Sequence, residues 1–363
     1  MLETQLKELD IHTNNFIMME RKLATVKKIT NIRPIEGADM IELATVGGWN
    51  VVVGKDVGHK VGDMVVYCEI DSFLPIRDEF EFLRKSSFKK MGEQEGFRLK
   101  TIKLRGQVSQ GLILPISVVP ITQFATAHDL PEGLDVTEML GIVKYEPPIP
   151  AELSGKVKGL FPSFIPKTDE ERIQNLTKEY GEWKHQSKHQ FYVTEKLDGS
   201  SATYYIKDGE FGVCSRNLEL LETEGNTFWK VARELNLEEN MKATGKNISL
   251  QGELIGEGIQ GNPYKIKGQT VRFFTGFDID KYQRISFPEL VVMLSDMGLQ
   301  YVPILNQELG FVLPETVEDM LKYAEAKSVL NDKTEREGVV VRSMDGTISF
   351  KAISNVFLLK NEC

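Results

Sequence analysis

The sequence predicts a two-domain α+β chain in which a small β-barrel precedes a larger mixed domain. Three observations carry this reading. The 363 residues exceed what one core covers at about 100–200 residues per domain. Short strand signals crowd the first third of the chain, whereas strands alternate irregularly with capped helices beyond residue 190. Between them, Pro147, Pro148 and Pro150 stop regular structure and stiffen an extended connector, which divides the chain into domains 1–145 and 146–363.

In the first domain, Gly, Pro and Asp punctuate the runs Ala24 to Ile32, Ile41 to Val46, Trp49 to Val53, Met64 to Ile70, Phe97 to Leu104 and Gly111 to Ile113. Five or six short strands in about 95 residues make a small barrel. An OB-type barrel fits best, because its strands and loops present a groove to single strands or duplex ends. Trp49 and Phe73 are expected in its core, with base stacking as the alternative. In the second domain, strands are expected at Phe191 to Glu195, Ala202 to Ile206, Phe211 to Ser215, Ser249 to Ile255, Phe273 to Ile279, Gly338 to Arg342 and Thr347 to Lys351. A helix over Thr223 to Leu237 would place Phe228, Val231, Ala232 and Leu235 on one face. Ser286 with Glu289, and Thr316 with Asp319, have the spacing of capping boxes for two more.

Composition limits the function. Hydrophobic residues at 41% and charged residues at 27% are globular values. No run approaches ~20 consecutive apolar residues, and Met1 to Glu20 reads as a short polar helix, so membrane spanning and export are not expected. Cys68, Cys214 and Cys363 are odd in number, far apart and in no CxxC pair, which supports neither a disulfide framework nor a thiolate zinc site and fits a cytoplasmic chain. A net charge of -9 restricts any nucleic-acid site to a local patch. Arg84, Lys85, Lys89, Lys90, Arg98, Lys100, Lys103 and Arg105 against Glu93 and Glu95 make one, with Arg98, Lys100, Lys103 and Arg105 as phosphate contacts. His185 and His189 have a helical metal spacing but no partner motif, so a basic solvated face is the reading preferred there.

The sharpest local signal is Thr194-Glu195-Lys196-Leu197-Asp198-Gly199-Ser200-Ser201, a strand that runs into a glycine turn with a lysine at the transition. Alone it is weak. Downstream, in order, come Ser215-Arg216-Asn217, Gly252-Glu253-Leu254-Ile255-Gly256, Phe277-Asp278-Ile279, Glu337 to Arg342 and Ser349-Phe350-Lys351. This ordered set resembles the covalent nucleotidyltransferases: ATP-dependent DNA ligases, RNA ligases and mRNA capping enzymes. With the barrel in front, the chain most resembles RNA ligases that carry an N-terminal OB domain on a ligase-type adenylyltransferase domain of ATP-grasp-like nucleotidyltransferase fold.

The resemblance implies ATP with Mg2+ or Mn2+, a covalent lysyl-AMP, and RNA carrying 3′-hydroxyl and 5′-phosphate ends, in a nicked duplex among other forms. Repair is the implied role, and a monomer is the expected state. It makes Lys196 the nucleophile and assigns catalysis to Lys196, Glu337 and Lys351. Asp198, Glu253 and Glu337 would hold the metal. Glu195, Lys196, Arg216, Glu253, Phe277 and Lys351 would hold the nucleotide, with Phe277 stacking on adenine, core packing being its rival. Arg172, in Asp169 to Asn175, is a further nucleotide contact. An amine nucleophile must be neutral, so the pKa of Lys196 is expected to be lowered by burial, by Lys351 and by metal.

The chain departs from relatives at two points. Ser201 stands where DNA ligases of the KxDGxR type have arginine, and Ser349 replaces the first lysine of a KxK pair. The first departure disfavours a DNA ligase, and the barrel's N-terminal position disfavours a capping guanylyltransferase. Intact Lys196, Glu253, Glu337 and Lys351 disfavour a non-catalytic nucleic-acid-binding protein. Strand parity adds one expectation. A three-residue Met344-Asp345-Gly346 loop would pair Lys351 with Val339 and turn it to the face of Glu337, whereas a two-residue loop would pair it with Val340 and separate them.

Overall fold

A computed structural model describes residues 21–120, 130–146, 155–185, 190–306, 310–344 and 346–361. The expected Met1 to Glu20 helix, the Pro147 to Pro150 connector and His189 lie outside these residues.

Among the described residues up to 146 there are eleven strands: β1 (Ala24–Pro34), β2 (Ile41–Val46), β3 (Trp49–Gly54), β4 (Met64–Cys68), β5 (Ser72–Pro75), β6 (Phe88–Met91), β7 (Gln94–Arg98), β8 (Thr101–Leu104), β9 (Gln107–Gln110), β10 (Leu112–Pro115) and β11 (Val143–Lys144). β1 changes partner midway: Ala24 to Lys28 pair with β4, and Ile29 to Pro34 with β2. A register shift between Ile29 and Asn31 bends the strand there, as a sheet that curls toward closure requires. The result is a five-stranded sheet in the order β10-β4-β1-β2-β3, a four-stranded sheet β11-β5-β7-β6 and a separate β8-β9 hairpin. Alternate residues of β2, β3 and β4 bury Ala44, Val46, Trp49, Val51, Val65 and Tyr67 in one apolar cluster.

Two further sheets follow. The larger contains β12 (Val157–Leu160), β14 (Ser200–Lys207), β15 (Glu210–Cys214), β16 (Leu218–Leu220), β17 (Ile248–Gly256), β18 (Gln269–Asp278) and β19 (Gln283–Arg284), in the order β12-β16-β15-β14-β17-β18-β19. One face buries Ala202, Tyr204, Val213, Leu250, Val271 and Phe273 against helices Thr227–Glu234, Leu237–Ala243 and Phe287–Asp296. The smaller sheet orders β13 (Phe191–Lys196), β20 (Gly338–Ser343) and β21 (Ser349–Ile353) as β13-β20-β21. Phe191, Val193, Val339, Val341, Phe350 and Ala352 form its core face, covered by helix Val317–Ala324.

Several elements differ from the expectations. The run Phe97 to Leu104 is not one strand: β7 ends at Arg98 and β8 starts at Thr101, in different sheets. The helix expected over Thr223 to Leu237 starts at Thr227, because the Asn226 side chain accepts hydrogen bonds from Phe228 N (3.1 Å) and Trp229 N (3.5 Å). Thr316 caps its helix by accepting from Asp319 N at 3.0 Å, whereas Ser286 stands at the cap of its helix without a side-chain hydrogen bond and Pro288 occupies the first turn.

The barrel and the sheets that follow it share a junction. Gly48 N donates to Gln174 O at 3.0 Å, and a Cβ on Gly48 would lie 2.7 Å from Gln174 Cα, so only glycine permits this approach. Ile353 of β21 and Leu358 of helix Asn355–Asn361 are buried in the same apolar cluster as Trp49, Val51, Tyr67 and Ile113 of the barrel.

Candidate active site

Register decides which side chains share a face. Thr194 pairs with Val340 and Val340 with Lys351, while Lys196 pairs with Gly338 and Gly338 with Ile353. Lys196 and Lys351 therefore lie on one face of the small sheet, opposite its apolar core. The three-residue hairpin loop is not what forms: Lys351 pairs with Val340, although Gly346 is left-handed as expected (φ +73°). The parity argument failed because it counted Glu337 as a strand residue. β20 begins at Gly338, so Glu337 lies before the pleat and is free of its alternation. Its carboxylate turns toward Lys196, whose Nζ donates to Glu337 Oε1 at 2.6 Å.

β13 delivers Lys196 at its last residue, where Leu197-Asp198-Gly199 turns into β14. The Asp198 N–H donates to the buried Tyr264 hydroxyl at 2.6 Å, which pins the turn. A Cβ on Gly199 would lie 2.4 Å from Leu254 O, so glycine is required for the turn to pass β17. Glu253 comes from β17, opposite Ser201 of β14. Tyr264 was not legible as a site residue, since its loop carries no motif.

The electrostatics separate the two lysines. Burial works against the charged amine of Lys196, but Glu337, Glu253 and Asp198 outweigh it and hold its pKa above the ordinary lysine value. This corrects the expectation of a lowered pKa: the three carboxylates outweigh burial. Lys351 is pushed down to about 7, by burial first and then by the Arg172 cation. The carboxylates feel one another. Glu253 is raised to about 8 by burial and by the charges of Glu337 and Asp198, and Asp198 to about 6 by burial and Glu337. Carboxylate oxygens are the hard donor type that a divalent cation takes. Among the described residues no three metal-binding side chains are gathered closely enough to hold an ion unaided, so nucleotide phosphates would have to complete the shell.

The remaining expected residues divide. Arg216 pairs through one nitrogen with both oxygens of Asp169 at 2.9 Å, near enough to Glu253 to act on its charge. Arg172 is buried beside Lys351: the two residues form a parallel backbone bridge, and Lys351 N donates to Glu171 O at 2.8 Å. Ser349, in place of lysine, hydrogen-bonds Glu170, which also pairs with the buried Arg342 at 2.8 Å. The departure at Ser349 thus belongs to an internal hydrogen-bonded charge pair.

Two expected nucleotide contacts do not reach the lysine face. Glu195 pairs with Val339 on the core side of the sheet, where it accepts from Val329 N at 2.8 Å. Phe277 pairs with Ser249, four residues or about 13 Å along β17 from Glu253. It is fully buried with Ile165, Tyr205, Cys214 and Ile279, so the rival reading of core packing is the one the structure holds.

The basic patch is also smaller than its count. Arg84 pairs with Glu81, just upstream of the counted window, and stacks over Phe88 and Phe97. Lys90 pairs with Glu95, and Arg98 turns inward to Asp71 (3.6 Å) and lies 4.4 Å over the Tyr145 ring. Lys103 and Arg105 stay exposed on the β8-β9 hairpin, with Lys100 just before it.

The site thus gathers a lysine at a strand end among carboxylates, with a second lysine on the same sheet face and an arginine beside that lysine. Comparison with known proteins supplies the class. The OB-fold domain family matches residues 23–116 and the RNA ligase family residues 189–360. A Naegleria gruberi RNA ligase mutant solved with ATP and Mn is 44% identical, with a TM-score of 0.85 over 94% of this chain and 99% of that one. The Naegleria gruberi RNA ligase with PPi is also 44% identical, with a TM-score of 0.84 over the same shares. No curated protein matches the chain. The chain belongs to the RNA ligase family.

Proposed function

We propose that the chain seals RNA with 3′-hydroxyl and 5′-phosphate ends, breaks in a duplex included, in three ATP-dependent steps on the Lys196 face. Lys196 Nζ attacks the α-phosphorus of ATP; a P–N bond forms, the bond to pyrophosphate breaks, and the ammonium proton leaves. The RNA 5′-phosphate then attacks that phosphorus and expels the lysine amine, which leaves AMP on the 5′ end. The 3′-hydroxyl finally attacks the 5′ phosphorus, and AMP departs.

Residue roles follow from position. Arg172 would supply a permanent positive charge beside the transferring phosphate, and Lys351 a second one while it is protonated, which such a transition state requires. Arg216 would contact the ribose or pyrophosphate. Asp198, Glu253 and Glu337 would hold Mg2+ or Mn2+, which when bound neutralises phosphate charge and relieves the repulsion among the three carboxylates. Residues 1–145 serve as the nucleic-acid grip and 146–363 as the adenylyltransferase. Two buried, unpaired thiols, Cys68 and Cys214, fit a reducing cytoplasm. Among the described residues no helix is long and apolar enough to cross a membrane.

The carrying observation is Lys196 at 2.6 Å from Glu337 on the same sheet face as Lys351. The test is mass spectrometry of the chain after incubation with Mg2+ and ATP, GTP or NAD, beside Lys196→Ala. A covalent AMP adduct from ATP alone, lost in the variant, is expected. A GMP adduct would move the assignment to capping chemistry, and an adduct retained by Lys196→Ala would remove the nucleophile.

A further inference from the structure

Asp71 stands on the barrel side of the junction, in a left-handed backbone conformation (φ +69°) uncommon outside glycine. Its carboxylate collects three arginines from three parts of the chain. Arg21, before β1, lies at 3.6 Å, Arg98 of β7 at 3.6 Å and Arg172 of the catalytic segment at 3.5 Å. Arg172 is 6% exposed, and its Nε and Nη1 have no hydrogen-bond partner, so Asp71 is its anchoring anion. A second thread runs parallel: the Asn175 amide accepts from Trp49 Nε1 at 2.6 Å and donates to Glu69 at 2.5 Å and Glu171 at 2.9 Å. Glu171 in turn receives the backbone of Lys351, and two residues on, Ile353 is buried in the barrel's core cluster.

A barrel that only gripped nucleic acid would have no need of a partly buried charge hub, with Arg172 buried, against the Lys351 strand, since burying charges costs desolvation that pairing only partly returns. We propose that Asp71 is a positioning residue for AMP transfer to Lys196, holding Arg172 against the Lys351 strand, so that the barrel shapes a chemical step in which no nucleic acid takes part. The inference rests on the reading of Lys196 and Lys351 given above. Replacing the carboxylate would leave Arg172 buried with no counter-charge and free to shift, and misplacement by even an ångström is costly where phosphate charge must be met in a fixed geometry.

The experiment is the single-turnover rate of AMP attachment to the full chain, with ATP and Mg2+ and no nucleic acid. Asp71→Asn is expected to slow it on the order of tenfold, with the half-saturating ATP concentration changed less than about threefold, because the loss falls on the chemical step. In an Arg172→Gln background the same substitution is expected to add nothing, since its effect runs through Arg172. A wild-type rate in Asp71→Asn overturns the inference, as does a loss that persists undiminished in that background. Should Asp71→Asn fail to fold, Asp71→Glu, which keeps the charge and moves it by one methylene, carries the test: a rate lowered at least about threefold supports the inference, and an unchanged rate overturns it. A wild-type chain that forms no adduct would sink the nucleotidyl-transfer reading itself, a failure distinct from these.

Discussion

The two ends of one small sheet make the instructive contrast. Lys196 and Lys351 share a face, and burial disfavours the charged amine at both. At the first end Glu337, Glu253 and Asp198 reverse that effect; at the second Arg172 reinforces it. The sign of the neighbours, and not burial, therefore separates an amine held as ammonium from one poised near neutrality. Glu337, Glu253 and Asp198, the proposed metal donors, are thus also the groups that hold the proposed nucleophile as ammonium.

Removing the restraint at the acidic end is expected to have the largest effect. Glu337→Gln loses the carboxylate 2.6 Å from Lys196 and one proposed metal donor together. AMP attachment should fall by at least about a hundredfold, read as adduct formed per minute. Adduct formation at the wild-type rate would show that Glu337 is a bystander.

The basic end titrates in the opposite sense. Because Lys351 is lowered to about 7, its positive charge is present below that pH and lost as pH rises through it. If that charge receives the phosphate, the half-saturating ATP concentration should rise several-fold between about pH 6 and pH 8.5. Lys351→Gln should bind weakly at both values with a flat profile; a sloping profile there would assign the titration to another group.

A stability measurement sharpens the same contrast. Glu253, raised to about 8, carries more protons folded than unfolded between pH 4.5 and about 8, so stability falls as pH rises through that window. Glu253→Gln removes the penalty: its melting temperature should exceed the wild type's by a few degrees at pH 8 and by less at pH 5, although activity is lost. Equal melting curves at pH 8 would show that Glu253 is not strained.

These charges were partly legible in the sequence. The ordered motifs from Lys196 to Lys351 drew attention to these residues through family resemblance and not through local geometry: Lys196 ends β13 and Glu337 precedes β20, whereas Glu253 and Lys351 lie inside β17 and β21. What depends on long-range pairing was not legible. Asp71 is far from Arg172 in sequence, and Tyr264 is 66 residues from Asp198, so no local pattern announces either contact. Glu337 misled the parity argument because alternation applies only inside a strand, and the strand begins one residue later. Phe277 misled for a related reason: an aromatic in a strand can face a ligand or a core, and only the packing of Ile165 and Tyr205 decides. The barrel was recognised from strand density, but β5, β6 and β9 were missed as four-residue strands with little alternation to read.

The smallest expected effect concerns the barrel's outer surface, where the same comparison of neighbours applies. Of the basic run, Arg84, Lys90 and Arg98 face carboxylates within the chain, whereas Lys103 and Arg105 project from the β8-β9 hairpin beside half-exposed Ile102 and Leu104. A cation already paired releases few counterions on meeting a phosphate; an exposed one releases about one. Replacing Lys103 and Arg105 by alanine should therefore weaken RNA binding modestly and flatten the dependence of log affinity on log salt by about 2, whereas the same change at Arg84 and Lys90 should leave the slope near the wild type's. AMP attachment, which needs no RNA, should be untouched by the hairpin pair. A salt slope unmoved by the hairpin pair would place the phosphate contacts elsewhere on the barrel.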